Sequence, residues 1–129
     1  MKTARVLLVD DNQDNLDLLS VLLSEHYVVS SYASAAEALR ELDTVKPDVL
    51  VLDIGMAPID GLQCLQTVRA RPGYARIPAV ALTAYAGFED KTRALRAGYL
   101  VHLAKPVEPS ELVATLASLT GRAGNLALP

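Results

Sequence analysis

Five polar residues stand at the ends of apolar segments, in positions where they could do chemistry together. Asp10 and Asp11 follow the first apolar run of the chain, and Asp53 follows the third. Thr83 closes the fourth run and Lys105 follows the fifth. Three carboxylates close together repel, by about 4 kcal/mol per close pair at an effective dielectric near 20, unless a proton or a cation is bound.

Oxygen ligands with this much negative charge suit Mg²⁺, which keeps several waters and takes one or two carboxylates directly. Lys105 would add a second positive charge and Thr83 a hydroxyl donor. Phosphoryl transfer depends on such positioning and charge neutralisation. An aspartate can itself be the nucleophile and become an aspartyl-phosphate. Each residue alone has a simpler explanation, as a helix cap, a strand-end hydroxyl or a surface lysine, so the hypothesis depends on the set.

The elements that carry these residues begin with apolar strands. Val6–Val9, Val49–Leu52 and Pro78–Leu82 do not alternate with polar residues. That pattern indicates strands buried on both faces, as in a parallel sheet. Tyr99–Ala104 is a further strand candidate, and the more polar Tyr27–Ser31 is predicted to be an edge strand.

Helical patterns lie between the strands. Capping residues mark the starts of several of these helices, and a glycine marks the end of one. The markers are Leu16, Leu19, Leu22 and Leu23 in the first helix, Ser34 with Glu37 before Ala35–Leu42, Asp60 with Gln63 before the third helix, Gly98 after Phe88–Ala97, and Pro109 in the last. Strand and helix alternate five times, which predicts an α/β fold with a parallel sheet and helices on both faces. Ligands bind such sheets outside the carboxyl ends of the strands, where the five polar residues would meet.

Composition limits the broad class of protein. The chain has 129 residues, enough for one domain, here predicted over residues 1–120, with 121–129 as a flexible tail or linker. A net charge of −3 with scattered basic residues argues against a nucleic-acid surface. A single cysteine, Cys64, fits a reducing compartment. Without a signal peptide pattern or a long apolar stretch, we expect a cytoplasmic protein without membrane spans.

Four motifs, in order and spacing, resemble response regulator receiver domains of two-component signal transduction over Ala4–Leu119. Asp53 and Thr83 are 30 positions apart, and Thr83 and Lys105 are 22 apart, as in that family. The motifs are Arg5–Asn12, Asp48–Met56 followed by Asp60-Gly61, Leu82–Ala84 and Leu103–Pro106. The resemblance implies a flavodoxin-like three-layer (βα)₅ sandwich whose five-stranded parallel sheet has the order 2-1-3-4-5.

By the same resemblance Asp53 is the phosphoacceptor. Asp10 and Asp11 hold Mg²⁺, and Asp53 together with the backbone carbonyl of Gly55 completes the protein ligands. The family also implies a phosphoryl donor, either a histidine kinase or a histidine phosphotransfer protein.

The resemblance assigns Thr83 to a phosphoryl oxygen, Lys105 to the phosphoryl group, and a cis peptide to Lys105–Pro106. Two positions depart from the family pattern. Pro58 comes one place late in the loop after Asp53, and His102 stands where the family usually has Tyr or Phe. His102 is predicted to be a partly buried packing residue rather than a metal ligand.

The expected switch changes partner binding rather than turning over a separate substrate. A downstream protein is expected on the face of the fourth helix, Phe88–Ala97, the fifth strand and the fifth helix. The domain would assist its own phosphorylation and dephosphorylation, as a monomer or a phosphorylation-dependent dimer. Gly55 and Tyr85 offer no acid or amide to orient water, so we expect slow self-hydrolysis. A stand-alone regulator and a domain of a hybrid histidine kinase both remain open.

Three other functions are possible for an α/β protein with these residues. A haloacid-dehalogenase-like phosphohydrolase needs an Asp-x-Asp-x-Thr pattern, which the run Asp10-Asp11-Asn12 does not match. A degenerate receiver would act as an unphosphorylated interaction module, but all five site residues are present here. A dinucleotide binder would need a glycine-rich loop after the first strand. Cys64 is predicted to be a packing residue.

Overall fold

The structure, a computed structural model, describes residues 3–84 and 88–120, apart from the side chains of residues 88–90. Its strands are β1 (Arg5–Val9), β2 (Val28–Tyr32), β3 (Val49–Asp53), β4 (Ala79–Thr83) and β5 (Val101–Ala104). They form one parallel sheet in the order β2-β1-β3-β4-β5. The predicted fold class and strand order are therefore confirmed, and the polar strand β2 lies at an edge as expected.

The helices are α1 (Gln13–Ser24), α2 (Ala35–Arg40), α3 (Leu42–Val45), α4 (Gly61–Arg69), α5 (Phe88–Ala97) and α6 (Pro109–Leu119). The segment predicted as one helix, Ala35–Leu42, is divided at Glu41 into α2 and α3. The division lets both Leu42 and Val45 turn into the core, where each is buried. Lys46 then ends α3 in the left-handed conformation, with φ 49°.

Two apolar layers fix the sheet between the helices. Helices α1 and α6 cover one face, and α2, α3, α4 and α5 cover the other. Every residue of β3 and β4 is buried. Each buried Val or Leu contributes about 1.5–3 kcal/mol of transfer free energy, so these central strands are firm supports for the loops that leave their ends.

The last strand starts later than the sequence predicts. β5 begins at Val101 rather than Tyr99, although the Leu100 N–H already donates to Ala79 O at 3.0 Å. Tyr99 lies before the strand with its side chain buried, and Gly98 ends α5 with φ +111°. None of the helices in residues 3–84 and 88–120 is long and apolar enough to cross a membrane.

Candidate functional site

The carboxyl ends of four adjacent strands bring the predicted residues together. Asp10 follows β1, Asp53 ends β3, Thr83 ends β4 and Lys105 follows β5. Because β1, β3, β4 and β5 are consecutive in a parallel sheet, their carboxyl ends share one edge. Asp11 comes next in the turn into α1, whose N-cap Asn12 accepts a 3.0 Å hydrogen bond from the Asn15 N–H.

Lys105 joins the two buried carboxylates of the site. Its Nζ lies 2.9 Å from Asp53 Oδ2 and 3.1 Å from Asp10 Oδ2. Its backbone N–H donates to Thr83 O at 2.7 Å, which ties the residue to the end of β4. The Lys105–Pro106 peptide is cis, as the sequence predicts.

Burial and charge act in opposite directions on these groups. Asp10 is fully buried, and burial raises its pKa, against the lowering effects of the Asn12 N–H and Lys105. Burial by itself would lower the pKa of Lys105, but its hydrogen bonds and charge interactions with Asp53 and Asp10 outweigh burial and raise it. The lysine is therefore held as a cation, and its charge favours the ionised form of Asp10.

Asp53 is held by the start of the β3–α4 loop, residues 54–60. Its Oδ1 accepts a 2.9 Å hydrogen bond from the Gly55 N–H, and its Oδ2 contacts Lys105. The Ile54 N–H donates to Leu82 O at 3.0 Å, which fastens the loop to β4. Asp53 itself is 4% exposed, so its carboxylate lies at the bottom of a cleft rather than on the surface.

The three carboxylates form a cluster suited to a hard cation. Asp10, Asp11 and Asp53 each place one oxygen within 4.8 Å of the others. Asp11 is exposed while the other two are buried, so one side of the cluster is open to water. The buried Asp10 Oδ2 accepts no hydrogen bond from the described residues, although Lys105 lies within ion-pair distance. An all-oxygen set with solvent access fits Mg²⁺, which retains part of its hydration shell.

Thr83 belongs to the same group by its place in the sheet. Asp53 pairs with Leu82, and Thr83, the next residue, pairs with Ala104. Thr83 is 2% exposed, so its hydroxyl is buried beside the cleft. The structure thus brings together every site residue that the sequence singled out, and Gly55 lies at the same cleft through its contact with Asp53.

Comparison with known proteins identifies the family to which this fold belongs. The sequence profile described as "Response regulator receiver domain" matches residues 6–117. The chain belongs to this family. It is a receiver domain of two-component signalling, which phosphorylation activates. Receivers bind Mg²⁺ at an acidic site and interact with histidine kinases or phosphotransfer proteins and with downstream effectors.

Two individual relatives are similar to most of this chain. The receiver is 42% identical over 109 residues to the "Uncharacterized 14.6 kDa protein in sodA1 3'region" of Leptolyngbya boryana, covering 84% of this chain and 83% of that one. It is 36% identical to the transcriptional regulatory protein PrrA of Mycobacterium leprae, covering 96% of this chain but 53% of that one. The chain thus spans about half the length of PrrA.

A solved structure carries the metal that the acidic cluster suggests. The receiver domain of sensor histidine kinase PA1611 from Pseudomonas aeruginosa has a magnesium ion coordinated in its active site cleft. The two receivers superimpose with a TM-score of 0.84 at 30% identity, over 93% of this chain and 99% of that one. The family match sets aside the phosphohydrolase alternative, and no finding favours a degenerate receiver.

The two positions that depart from the family pattern, Pro58 and His102, both lie in the part of the receiver that the structure describes. The Ala57–Pro58 peptide is cis, which the sequence analysis did not anticipate. His102 is half-buried, as predicted, on β5 beside Ala81. Its Nε2 is buried and has no hydrogen-bond partner among the described residues. Tyr85 and the predicted tail, 121–129, lie outside the residues that the structure describes.

Two buried side chains complete the surroundings of the cleft. Cys64 is buried in α4, which confirms its packing role, and burial followed by the charge of Asp60 raises the pKa of its thiol to about 11. Tyr99 donates a hydrogen bond to Gly61 O at 2.6 Å. Sequence reasoning missed Tyr99, because the tyrosines are spread along the chain and only its place just after Gly98 could have drawn attention to it.

Proposed function

We propose that Asp53 is the phosphoryl acceptor of this receiver and that Asp10, Asp11, Asp53 and the Gly55 carbonyl hold Mg²⁺. The observation that carries the proposal is the position of Lys105 Nζ, 2.9 Å from Asp53 Oδ2 and 3.1 Å from Asp10 Oδ2. The ammonium places a positive charge beside the carboxylate oxygens, and a carboxylate oxygen is the nucleophile that the reaction requires. When bound, Mg²⁺ supplies charge neutralisation for the phosphoryl oxygens.

The proposed reaction transfers a phosphoryl group from a phosphohistidine of a kinase or phosphotransfer protein. A carboxylate oxygen of Asp53 forms the new P–O bond while the P–N bond to the donor imidazole breaks. The imidazole leaves with the electron pair and takes a proton from water. Lys105 neutralises charge on the phosphoryl group, and the buried hydroxyl of Thr83 supplies a hydrogen-bond donor to it.

The output is proposed to be a change on the surface formed by α5, β5 and α6. Thr83 ends β4 and Lys105 follows β5, so a charge added at Asp53 would act at the carboxyl ends of the two strands that border this surface. Among the side chains that the structure describes there, Leu95 on α5 and Leu100 just before β5 are large, apolar and exposed, at 47% and 58%. A downstream protein covering them would prefer one arrangement of the loops, and phosphorylation would shift the population toward or away from it.

The test is to locate the covalent adduct. The protein is incubated with Mg²⁺ and a small phosphoramidate donor, and the modified peptide is found by mass spectrometry. We expect one phosphoryl group on the peptide that contains Asp53. Asp53→Asn should abolish it, whereas Asp17→Asn, which changes an exposed carboxylate on α1, should leave it unchanged.

The same material gives a second, independent readout. The unmodified protein should bind beryllofluoride only when Mg²⁺ is present. An adduct on Asp10 would instead support hydrolase-like chemistry, and indifference to both Mg²⁺ and beryllofluoride would overturn the proposal.

A further inference from the structure

Tyr99 points its hydroxyl into the protein rather than toward solvent. The residue is 2% exposed, and its Oη donates a 2.6 Å hydrogen bond to the backbone carbonyl of Gly61. Burial is the main reason that the pKa of Tyr99 is raised, so the phenol keeps its proton and remains a donor. A buried hydroxyl without a hydrogen-bond partner destabilises the folded protein, because it has lost its hydration. The hydrogen bond therefore restrains the positions of Tyr99 and Gly61.

Gly61 lies against the backbone of the proposed acceptor. A Cβ atom at this position would lie 2.7 Å from Asp53 O and 2.7 Å from Ile54 Cα. Only glycine permits so close an approach without a shift of the backbone. The Gly61 N–H also faces Ile54 O at 3.4 Å. Gly61 therefore lies between the Tyr99 hydroxyl and the two residues at the start of the β3–α4 loop.

The β3–α4 loop is short, and Gly61 is the first residue of α4 after it. Residues 54–60 leave β3 at Asp53 and enter α4 at Gly61. Asp60 caps that helix by accepting the Gln63 N–H at 2.8 Å, while Gln63 Oε1 accepts the Asp60 N–H at 3.1 Å. Both ends of the loop are thus held, and Gly55, near its start, donates its N–H to the Asp53 carboxylate at 2.9 Å.

Tyr99 is itself anchored on its backbone side. Its N–H donates to Ala94 O at 3.1 Å, and the Gly98 carbonyl accepts from Arg69 Nη2 at 2.9 Å. The following N–H, of Leu100, donates to Ala79 O in β4 at 3.0 Å. The hydroxyl therefore projects from a point fixed to α5, α4 and the sheet, which makes it a firm support for Gly61.

We propose that Tyr99 is a positioning residue for phosphoryl transfer, holding Gly61 and through it the β3–α4 loop in the shape that Mg²⁺ and the phosphoryl group require. This inference rests on the proposed role of Asp53. A site whose parts are held in the productive geometry before binding avoids the cost of ordering them afterwards. Tyr99 thus contributes to binding without touching the bound groups.

The experiment compares two tyrosines that each donate to a backbone carbonyl. Tyr99→Phe removes the hydroxyl that holds Gly61, and Tyr74→Phe removes one that lies 3.3 Å from Leu42 O, away from the cleft. Both variants and the wild type are titrated with beryllofluoride at saturating Mg²⁺ by calorimetry, and their unfolding midpoints in urea are measured.

We expect Tyr99→Phe to raise the dissociation constant for beryllofluoride about threefold to tenfold, the worth of one hydrogen bond. Tyr74→Phe should leave this constant unchanged. In ¹⁵N spectra, Tyr99→Phe should also shift the amide signals of Gly55 and Gly61, which a uniform loss of stability would not do. If the two variants bind beryllofluoride equally well, the inference is overturned while the role of Asp53 stands.

A second variant covers the case in which Tyr99→Phe does not fold. Gly61→Ala introduces the close contact with Asp53 and Ile54 and leaves the Tyr99 hydroxyl in place. It should weaken beryllofluoride binding, and wild-type affinity in this variant would contradict the inference. If the wild type itself binds neither Mg²⁺ nor beryllofluoride, the proposed function fails first, and this inference fails with it.

Discussion

The ammonium of Lys105 lies 2.9 Å from Asp53 Oδ2, on the carboxylate proposed to receive the phosphoryl group. The same Nζ contacts Asp10, which is fully buried. The lysine thus neutralises, at the cleft, the carboxylates that a bound divalent cation would also neutralise. Two cations that serve the same oxygens compete with each other, and this competition has measurable consequences.

Lys105→Met should strengthen Mg²⁺ binding and slow phosphorylation. Without the lysine charge, Mg²⁺ is the only cation that neutralises Asp10 and Asp53. We therefore expect the Mg²⁺ dissociation constant to fall about fivefold, which corresponds to about 1 kcal/mol of binding free energy. Phosphorylation by a small donor at saturating Mg²⁺ should nevertheless fall, since the phosphoryl charge loses its partner. Calorimetry and mass spectrometry measure the two effects. Lys46→Met, an exposed lysine outside the cleft, should change neither, and weaker Mg²⁺ binding in Lys105→Met would contradict the competition.

Asp10→Asn should stabilise the metal-free protein near neutral pH. The folded-state pKa of Asp10 is raised, chiefly by burial, so its ionisation costs folding free energy at pH values above that pKa. The cost shrinks as the pH falls below the folded-state pKa and is gone once the pH lies below the pKa of the unfolded chain. We therefore expect Asp10→Asn to raise the unfolding free energy by about 1 kcal/mol at pH 7 in EDTA, with the gain shrinking toward acid pH. Urea unfolding at several pH values measures this. A gain that stayed constant with pH, or matched that of Asp17→Asn, would refute the assignment.

Changing Gly55 and Tyr85 together should shorten the lifetime of the phosphoprotein. A Cβ atom at Gly55 would lie 3.5 Å from Asp53 Oδ1, an ordinary van der Waals contact, so the first atom of a side chain is accommodated there. Gly55→Asn paired with Tyr85→Glu supplies an amide and an acid that can orient an attacking water. We expect loss of phosphate to accelerate at least about tenfold, toward the lower end of general-base effects. The decay is followed by mass spectrometry after removal of the donor. An unchanged rate would contradict the idea that self-hydrolysis is slow because Gly55 and Tyr85 offer no acid or amide.

Cys64 should be almost inert to thiol reagents in the folded protein. Burial, followed by the charge of Asp60, raises its pKa from 9.0 to about 11, so the thiolate at pH 8 is about a hundredfold scarcer than in the unfolded chain. Cys64 in the folded protein, in buffer, should therefore react with a chromogenic disulfide at least about a hundredfold more slowly than in the protein unfolded by urea. A fast reaction in the folded state would show that α4 opens readily and that Cys64 is not the packing residue described here.

Much of this fold was predictable because three of the five strands, β1, β3 and β4, stand in continuous apolar runs. β1, β3 and β4 match their predicted segments to within one residue at either end, since burial on both faces leaves no polar residue inside them. The capping pair Asp60 and Gln63 likewise placed the start of α4. Two predictions were wrong: the start of β5 at Tyr99, and a single helix over Ala35–Leu42. Burial of Tyr99, Leu42 and Val45 in the core determined these boundaries instead.

The sequence by itself determined the strand–helix alternation and the residue types at the strand ends, because hydrophobic periodicity and helix caps are local properties. It therefore identified Asp10, Asp11, Asp53, Thr83 and Lys105 as one group. Only the tertiary structure decided the contacts among them, such as the bridge from Lys105 to two carboxylates. It also decided the hydrogen bond from Tyr99 to Gly61, across 38 positions of sequence. Contacts of this kind depend on how side chains pack between distant elements, and no periodicity along the chain encodes that packing.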